Sequence, residues 1–322
     1  MRSNRVALVV GIDHYAWAPL RGCVKDATDI ADVLENDGRN VHEVNFEVKK
    51  MLAPLEGPHD IITKPVLKKA IETLFAVDCD ICLFYFSGHG IITSAGGYIV
   101  TQDYQRYDAG ISMNEIIILA NSSKIKNKVI LLDCCHSGNI GTHAGSNLAE
   151  LSQGLVVITA SREFEEAIEI DGKGLFTSLV VAALKGEAAD LFGNVTAGNI
   201  YSYVDRAMTP WDQRPIFKAN VTHFTPLRSI ALSVPLDVLR RICNYFPDPQ
   251  DEHPLDPSYD CKNEQKNPAK VAVMEDLQKF ESAGLVVPVG AEHLYSAIVN
   301  SKSCRLTPLG YQYWRAVKAK MI

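Results

Sequence analysis

The sequence predicts an α/β fold with a mostly parallel sheet, on three observations. Four short apolar runs, at residues 6–12, 81–86, 129–132 and 155–159, are bounded by turn residues and show no polar alternation. Segments of helical period lie between them, and two of the runs end in clusters of reactive residues. Strands covered by helices on both faces read this way, since neither face needs polar side chains. Alternating strand and helix then implies a layered fold with right-handed crossovers.

The elements follow in order. Within 23–35, Cys23, Ala27, Ile30, Ala31 and Leu34 recur at helical spacing, opposite Asp29 and Asp32. Residues 66–75, 113–119, 175–184 and 200–208 read as further helices, with Ser112 placed to cap the one at 113–119. This domain spans residues 1–225. Residues 226–322 form a smaller α+β domain. They begin with a helix at 236–246, followed by a polar, Pro- and Asp-rich stretch near 247–267 that reads as a loop or mobile insert. A helix at 269–282 stops before Gly284; strands at 286–289 and 295–299 follow, and a last helix opens in Leu306-Thr307-Pro308-Leu309-Gly310.

Length and composition bound the function. At about 150 residues per domain, 322 residues make two domains, each able to bury a core. With 47% hydrophobic and 22% charged residues the chain is neither disordered, collagen-like nor a disulfide-stapled miniprotein. A net charge of −6 disfavours wholesale binding to nucleic acid or acidic lipid. No apolar run approaches the ~18 residues of a membrane span, so the expectation is a cytoplasmic protein without an export signal or membrane contact. The eight cysteines show no framework spacing and read as reduced thiols. Cys79-x-x-Cys82 has no second pair to complete a metal or redox site, and reads as a buried structural pair.

The chemistry sits at two strand ends. In open α/β sheets, ligands bind beyond the carboxyl ends of the parallel strands. The run at 81–86 ends in Ser87-Gly88-His89-Gly90, and that at 129–132 in Asp133-Cys134-Cys135-His136-Ser137-Gly138. If those strands are neighbours, His89 and a cysteine meet at one rim. An imidazole beside a thiol makes a nucleophile at neutral pH. Flanking glycines free backbone N–H groups to bind an oxyanion. His136 is a rival base, but adjacent loop residues seldom aim at one point. A phosphatase loop would need Arg six positions after its cysteine, where Ile140 and Gly141 stand instead.

These two motifs, with a histidine about 50 residues before the cysteine, resemble the catalytic motifs of caspase-like cysteine peptidases of clan CD, in the metacaspase and prokaryotic caspase-homologue branch. Gly11-Ile12-Asp13-x-Tyr15, Leu20-x-Gly22-Cys23-x-x-Asp26-Ala27, Ile158-Thr159-Ala160-Ser161 and Gly174-Leu175-Phe176-Thr177 are similar to that branch as well. The resemblance covers roughly residues 5–220 and implies a caspase-like three-layer α/β/α fold. It implies His89 as the base and Cys135 as the nucleophile, with the backbone N–H groups of Gly90 and Cys135 as oxyanion hole. No cofactor is implied; calcium dependence, known in some relatives, has no residues to which it can be assigned.

The place two residues before the nucleophile, Gln in caspases that cut after Asp, holds Asp133 here, and Asp26 matches the family's other acidic pocket position. Two carboxylates in a partly desolvated S1 pocket, with Ser161 beside them, select a cation, Arg before Lys. The alternative is that Asp26 orients its helix and Asp133 braces the catalytic loop. From 136 to 153 there is no Lys or Arg. An enzyme selective for basic residues could not cut itself there, which implies a working single chain.

The smaller domain resembles a winged helix. Its 12 Lys and Arg against 11 Asp and Glu, and the mixed charge of 269–282, disfavour DNA. An upstream protein activator or sensor is the expected partner, alongside protein substrates, in a defence or cell-death role such as prokaryotic relatives play. A non-catalytic scaffold and a DNA-binding regulator are the alternatives to an active endopeptidase.

Overall fold

The computed structural model describes residues 4–40, 42–94, 96–105, 108, 110–134, 151–160, 169–170, 173–208 and 214–322. They fall into two compact units: Met1–Asp190 with Asn194–Ile230, and Leu191–Gly193 with Ala231–Ile322.

The first unit opens with β1 (Arg5–Ile12), α1 (Cys23–Glu35), β2 (Glu47–Ala53), α2 (Lys64–Ala76) and β3 (Ile81–Ser87). A small meander, β4 (Gly90–Thr93), β5 (Gly96–Ile99) and β6 (Ile111–Ser112), leads into α3 (Met113–Ser122) and β7 (Asn127–Asp133). Next come β8 (Leu155–Thr159), the short pair β9 (Glu169–Ile170) and β10 (Lys173–Gly174), α4 (Leu175–Ala182) and a π-helical turn, Ala183–Glu187. The unit closes with β11 (Asn194–Thr196), α5 (Ala197–Ala207), β12 (Ile216–Asn220) and β13 (Pro226–Ser229). Because β13 pairs with β11, this unit continues past residue 225.

The central sheet has the order β12-β8-β7-β3-β1-β2. All neighbours are parallel except β12, which runs antiparallel to β8. Alternate strand residues enter opposite cores. Leu8, Val10, Phe84, Phe86, Ile130 and Leu132 pack with Leu67, Ile71 and Ile116 of α2 and α3. Ala7, Val9, Leu83, Tyr85, Val129 and Leu131 pack with residues of α1, α4 and α5 such as Ile30, Val180 and Ile200. Both faces are therefore dry, and the strands read as unbroken apolar runs. Each large side chain so buried contributes ~1.5–3 kcal/mol. This is the three-layer α/β/α arrangement with a mostly parallel sheet.

The second unit contains α6 (Leu236–Arg240), α7 (Ile242–Tyr245), β14 (Glu252–Pro254), α8 (Pro268–Ser282), β15 (Val286–Val289), α9 (Leu294–Val299), β16 (Ser303–Leu306) and α10 (Pro308–Lys318). Its antiparallel sheet has the order β14-β16-β15. The Leu306–Tyr313 stretch owes its residues to two local demands. Thr307 caps α10 by accepting the Gly310 N–H at 2.9 Å. A Cβ on Gly310 would lie 2.0 Å from the Leu285 carbonyl oxygen.

Four expectations need correction. Residues 295–299 are not a strand but part of α9: Leu294, Ala297 and Ile298 are buried at helical spacing while Tyr295 and Val299 face solvent. The insert near 247–267 is not structureless, since it supplies β14 and a 3₁₀ turn at Pro257–Tyr259. The helix at 236–246 breaks at Arg241. Ser112 occupies the N-cap of α3 without a side-chain capping bond. No helix among the described residues is long and apolar enough to cross a membrane.

Candidate active site

The topology brings the reactive motifs together. From β1 the chain first goes outward to β2, then returns to the other side of β1 with β3. In open α/β sheets, ligands bind beyond the carboxyl ends where the winding reverses. In register there, Gly11 of β1 partners Ser87 of β3, and Ser87 partners Asp133 of β7. His89 and Cys135 are each two residues beyond one of those partnered positions. Cys135 and Ser161 lie outside the described residues.

His89 is held from three sides. Its Nε2 is 2.7 Å from the Ala18 carbonyl oxygen, which can only accept, so the proton sits on Nε2 and Nδ1 carries the lone pair. Its backbone N–H donates to the Tyr15 hydroxyl at 3.2 Å, and that hydroxyl donates to the Val100 carbonyl at 3.0 Å. The imidazole also stacks on Trp17, centroids 4.8 Å apart. Burial pushes the His89 pKa below its ordinary value, against the opposing pull of the Ala18 carbonyl. The ring is therefore neutral near pH 7. A side chain on Gly88 has no room, as its Cβ would meet the Tyr15 hydroxyl at 2.5 Å.

Gly90 has a free amide. The Val100 N–H bonds the His89 carbonyl, which makes Gly90 and Ile99 a wide, non-hydrogen-bonded pair of the β4–β5 ladder. The Gly90 N–H is thus left outside the ladder, one residue from the imidazole.

Asp26 and Asp133 are 3% and 5% exposed. Asp26, in the first turn of α1, accepts the Gly174 N–H at 3.1 Å. Asp133, ending β7, accepts from the Thr177 hydroxyl at 2.7 Å, and Thr177 shares a 2.6 Å hydrogen bond with the Tyr85 hydroxyl. The carboxylates act on common neighbours. The Tyr85 phenol is raised well above its ordinary range, first by burial and then by Asp133 and Asp26. The Cys23 thiol is pushed up by burial, opposed by a hydrogen bond from Ser87 and reinforced by Asp13, Asp133 and Asp26. Cys23 therefore stays a thiol and is no competing nucleophile.

Asp13 serves the scaffold. Its carboxylate accepts the Cys23 N–H at 2.8 Å, holding the start of α1 against the sheet end. Close approach is possible because position 11 is glycine, whose Cβ would sit 2.5 Å from the Cys23 carbonyl oxygen. Sequence reasoning missed Ala18 and Trp17. Ala18 acts through its carbonyl, which every residue carries, so no side-chain signal marks it. Among the described residues no group of three or more His, Cys, Asp and Glu side chains could hold a metal ion.

The family model for the caspase domain matches residues 4–276. The chain belongs to the caspase-domain family. The caspase match takes in the whole first unit from Asn4 and ends within α8. Solved structures agree on the fold. Caspase-1 from Spodoptera frugiperda matches at a TM-score of 0.50 with 12% identity, over 71% of this chain and 91% of that one. A protein from Geobacter sulfurreducens matches at 0.50 with 17% identity, over 71% of this chain and 100% of that one. Comparison with curated protein sequences finds no match. The fold is thus that of the caspase-like cysteine peptidases.

Proposed function

We propose that the protein is an active cysteine endopeptidase that cuts after basic residues, Arg before Lys, with Cys135 as nucleophile and His89 as base. The observation that carries the reading is the His89 imidazole, pinned through Nε2 so that Nδ1 carries the lone pair, two residues beyond the end of β3, which pairs with β7, the strand before Cys135 in the sequence. Nδ1 takes the Cys135 Sγ proton as the thiolate attacks the scissile carbonyl. The Gly90 and Cys135 N–H groups stabilise the oxyanion. The proton then passes from His89 to the departing amine as the C–N bond breaks, leaving a thioester. Water, giving its proton to Nδ1, attacks the thioester; the acid leaves and the thiol is restored.

Asp26 and Asp133, with Ser161, form the S1 pocket in this reading. A guanidinium spans two carboxylates bidentately, whereas an acidic P1 side chain would be repelled. The second unit serves a protein activator or sensor, as in a defence or cell-death effector. Its α8 lysines are engaged by carboxylates, Lys270 with Asp256 and Lys279 with Asp276, which leaves little charge for phosphate.

A peptidyl-arginine chloromethyl ketone tests the assignment. Intact-mass and peptide mapping should find one label, on Cys135, and none on the His89→Ala protein. A label on Cys23 or Cys134 would overturn it.

A further inference from the structure

At the opposite end of the sheet from His89 lies a cavity of about 530 Å³. Its lining residues include Lys124, Lys126, Lys128, Ser123, Ser152 and Thr222, and no Asp or Glu. Lys128 is the second residue of β7, and Lys124 and Lys126 lie in the segment that leads into it. Lys128 is 2% exposed, and its ammonium donates to the Ile125 and Gln153 carbonyls at 2.9 and 3.2 Å. An ammonium has three donors, and none of the ion pairs among the described residues includes Lys124, Lys126 or Lys128. A buried cation facing only neutral acceptors is costly, and an anion relieves that cost. The Ser152 hydroxyl, buried in the same wall, has no hydrogen-bond partner.

The walls are preorganised. The Ser152 N–H donates to Asn121 at 2.7 Å, the Gly154 N–H to the Asn220 carbonyl at 2.7 Å, and the Asn220 side chain to the Leu151 carbonyl at 2.8 Å. Gly154 has φ +83°, and a Cβ there would lie 1.8 Å from the Lys126 carbonyl oxygen. The glycine lets this wall close on the lysine run.

We infer that this cavity is a binding site for a small phosphorylated molecule, held by Lys124, Lys126, Lys128 and the Ser152 hydroxyl. Several ammonium- and hydroxyl-bearing residues around one cavity, with no planar guanidinium among them, suit a multiply charged tetrahedral oxyanion better than a carboxylate. The volume exceeds what one phosphate fills and lies in the range of small-molecule pockets.

The test is calorimetric titration of the full chain, as Cys135→Ala, with pyrophosphate and with ATP at fixed ionic strength. Binding is read without proteolysis, so its outcome is independent of the peptidase assignment. Saturable 1:1 binding of either probe is expected, weakened at least about tenfold in Lys124→Gln/Lys126→Gln, whose side chains are exposed and whose fold is checked by circular dichroism. ATP binding much tighter than pyrophosphate would assign the remaining volume to the nucleoside. No binding of either probe at millimolar concentration, or equal binding by the double variant, would overturn the site.

Discussion

At the scale of single residues, the proposed chemistry depends on an imidazole whose tautomer and protonation are set by its surroundings. Burial favours neutral His89, so its folded pKa lies below the ordinary 6.5 and the base survives into mildly acidic solution. The acid limb of kcat/KM against pH should therefore fall below 6.5. Trp17 covers the ring while itself 52% exposed. Trp17→Ala, by rehydrating the imidazole, should move that limb upward; an unmoved limb would show that another group controls it. His89→Ala should lower kcat/KM by about 10²–10⁴-fold, the usual worth of a general base. Asp133→Asn, by removing one carboxylate of the proposed S1 pocket, should lower kcat/KM on an Arg substrate by about 10–100-fold, mostly through KM. An unchanged KM would favour Asp133 as a brace for the loop through Thr177.

At the scale of elements, what the sequence makes legible depends on how dry an element is. β3, β7 and β8 have both faces buried, and their apolar runs mark them without ambiguity. β2 is an edge strand with exposed Glu47, Lys49 and Lys50, so neither an apolar run nor clean alternation announces it. Residues 295–299, part of α9, read as a strand because Tyr-Ser-Ala-Ile-Val is short and β-branched at its end; only tertiary burial of Leu294, Ala297 and Ile298 distinguishes the two periods. The site divides similarly. His89 and Cys135 are visible through their residue types and flanking glycines, while the Ala18 carbonyl and the free Gly90 N–H are backbone features that emerge only from the fold. Asp13 predicts a measurable element-level effect. Asp13→Ala removes the carboxylate that receives α1's first N–H, and should cost ~1–2 kcal/mol. A thermal midpoint lowered by ~2–8 °C is the expected reading, and an unchanged midpoint would remove the capping role.

At the scale of the whole molecule, selectivity and processing are linked. Because 136–153 holds neither Lys nor Arg, purified protein should remain one chain there on prolonged incubation, as read by intact mass and N-terminal sequencing. A self-made break in that stretch would contradict either the basic pocket or the single-chain state. The second unit should leave a DNA duplex unshifted on a low-salt gel, since its lysines on α8 face carboxylates. A salt-sensitive shift would instead make it a nucleic-acid module.

The most direct test compares hydrolysis of fluorogenic peptides ending in Arg, Lys or Asp by the wild type and by Cys135→Ala. The account predicts cleavage after Arg, weaker cleavage after Lys, none after Asp, and a loss of at least about 10³-fold in the variant. Cleavage chiefly after Asp, or activity that survives in Cys135→Ala, would contradict it.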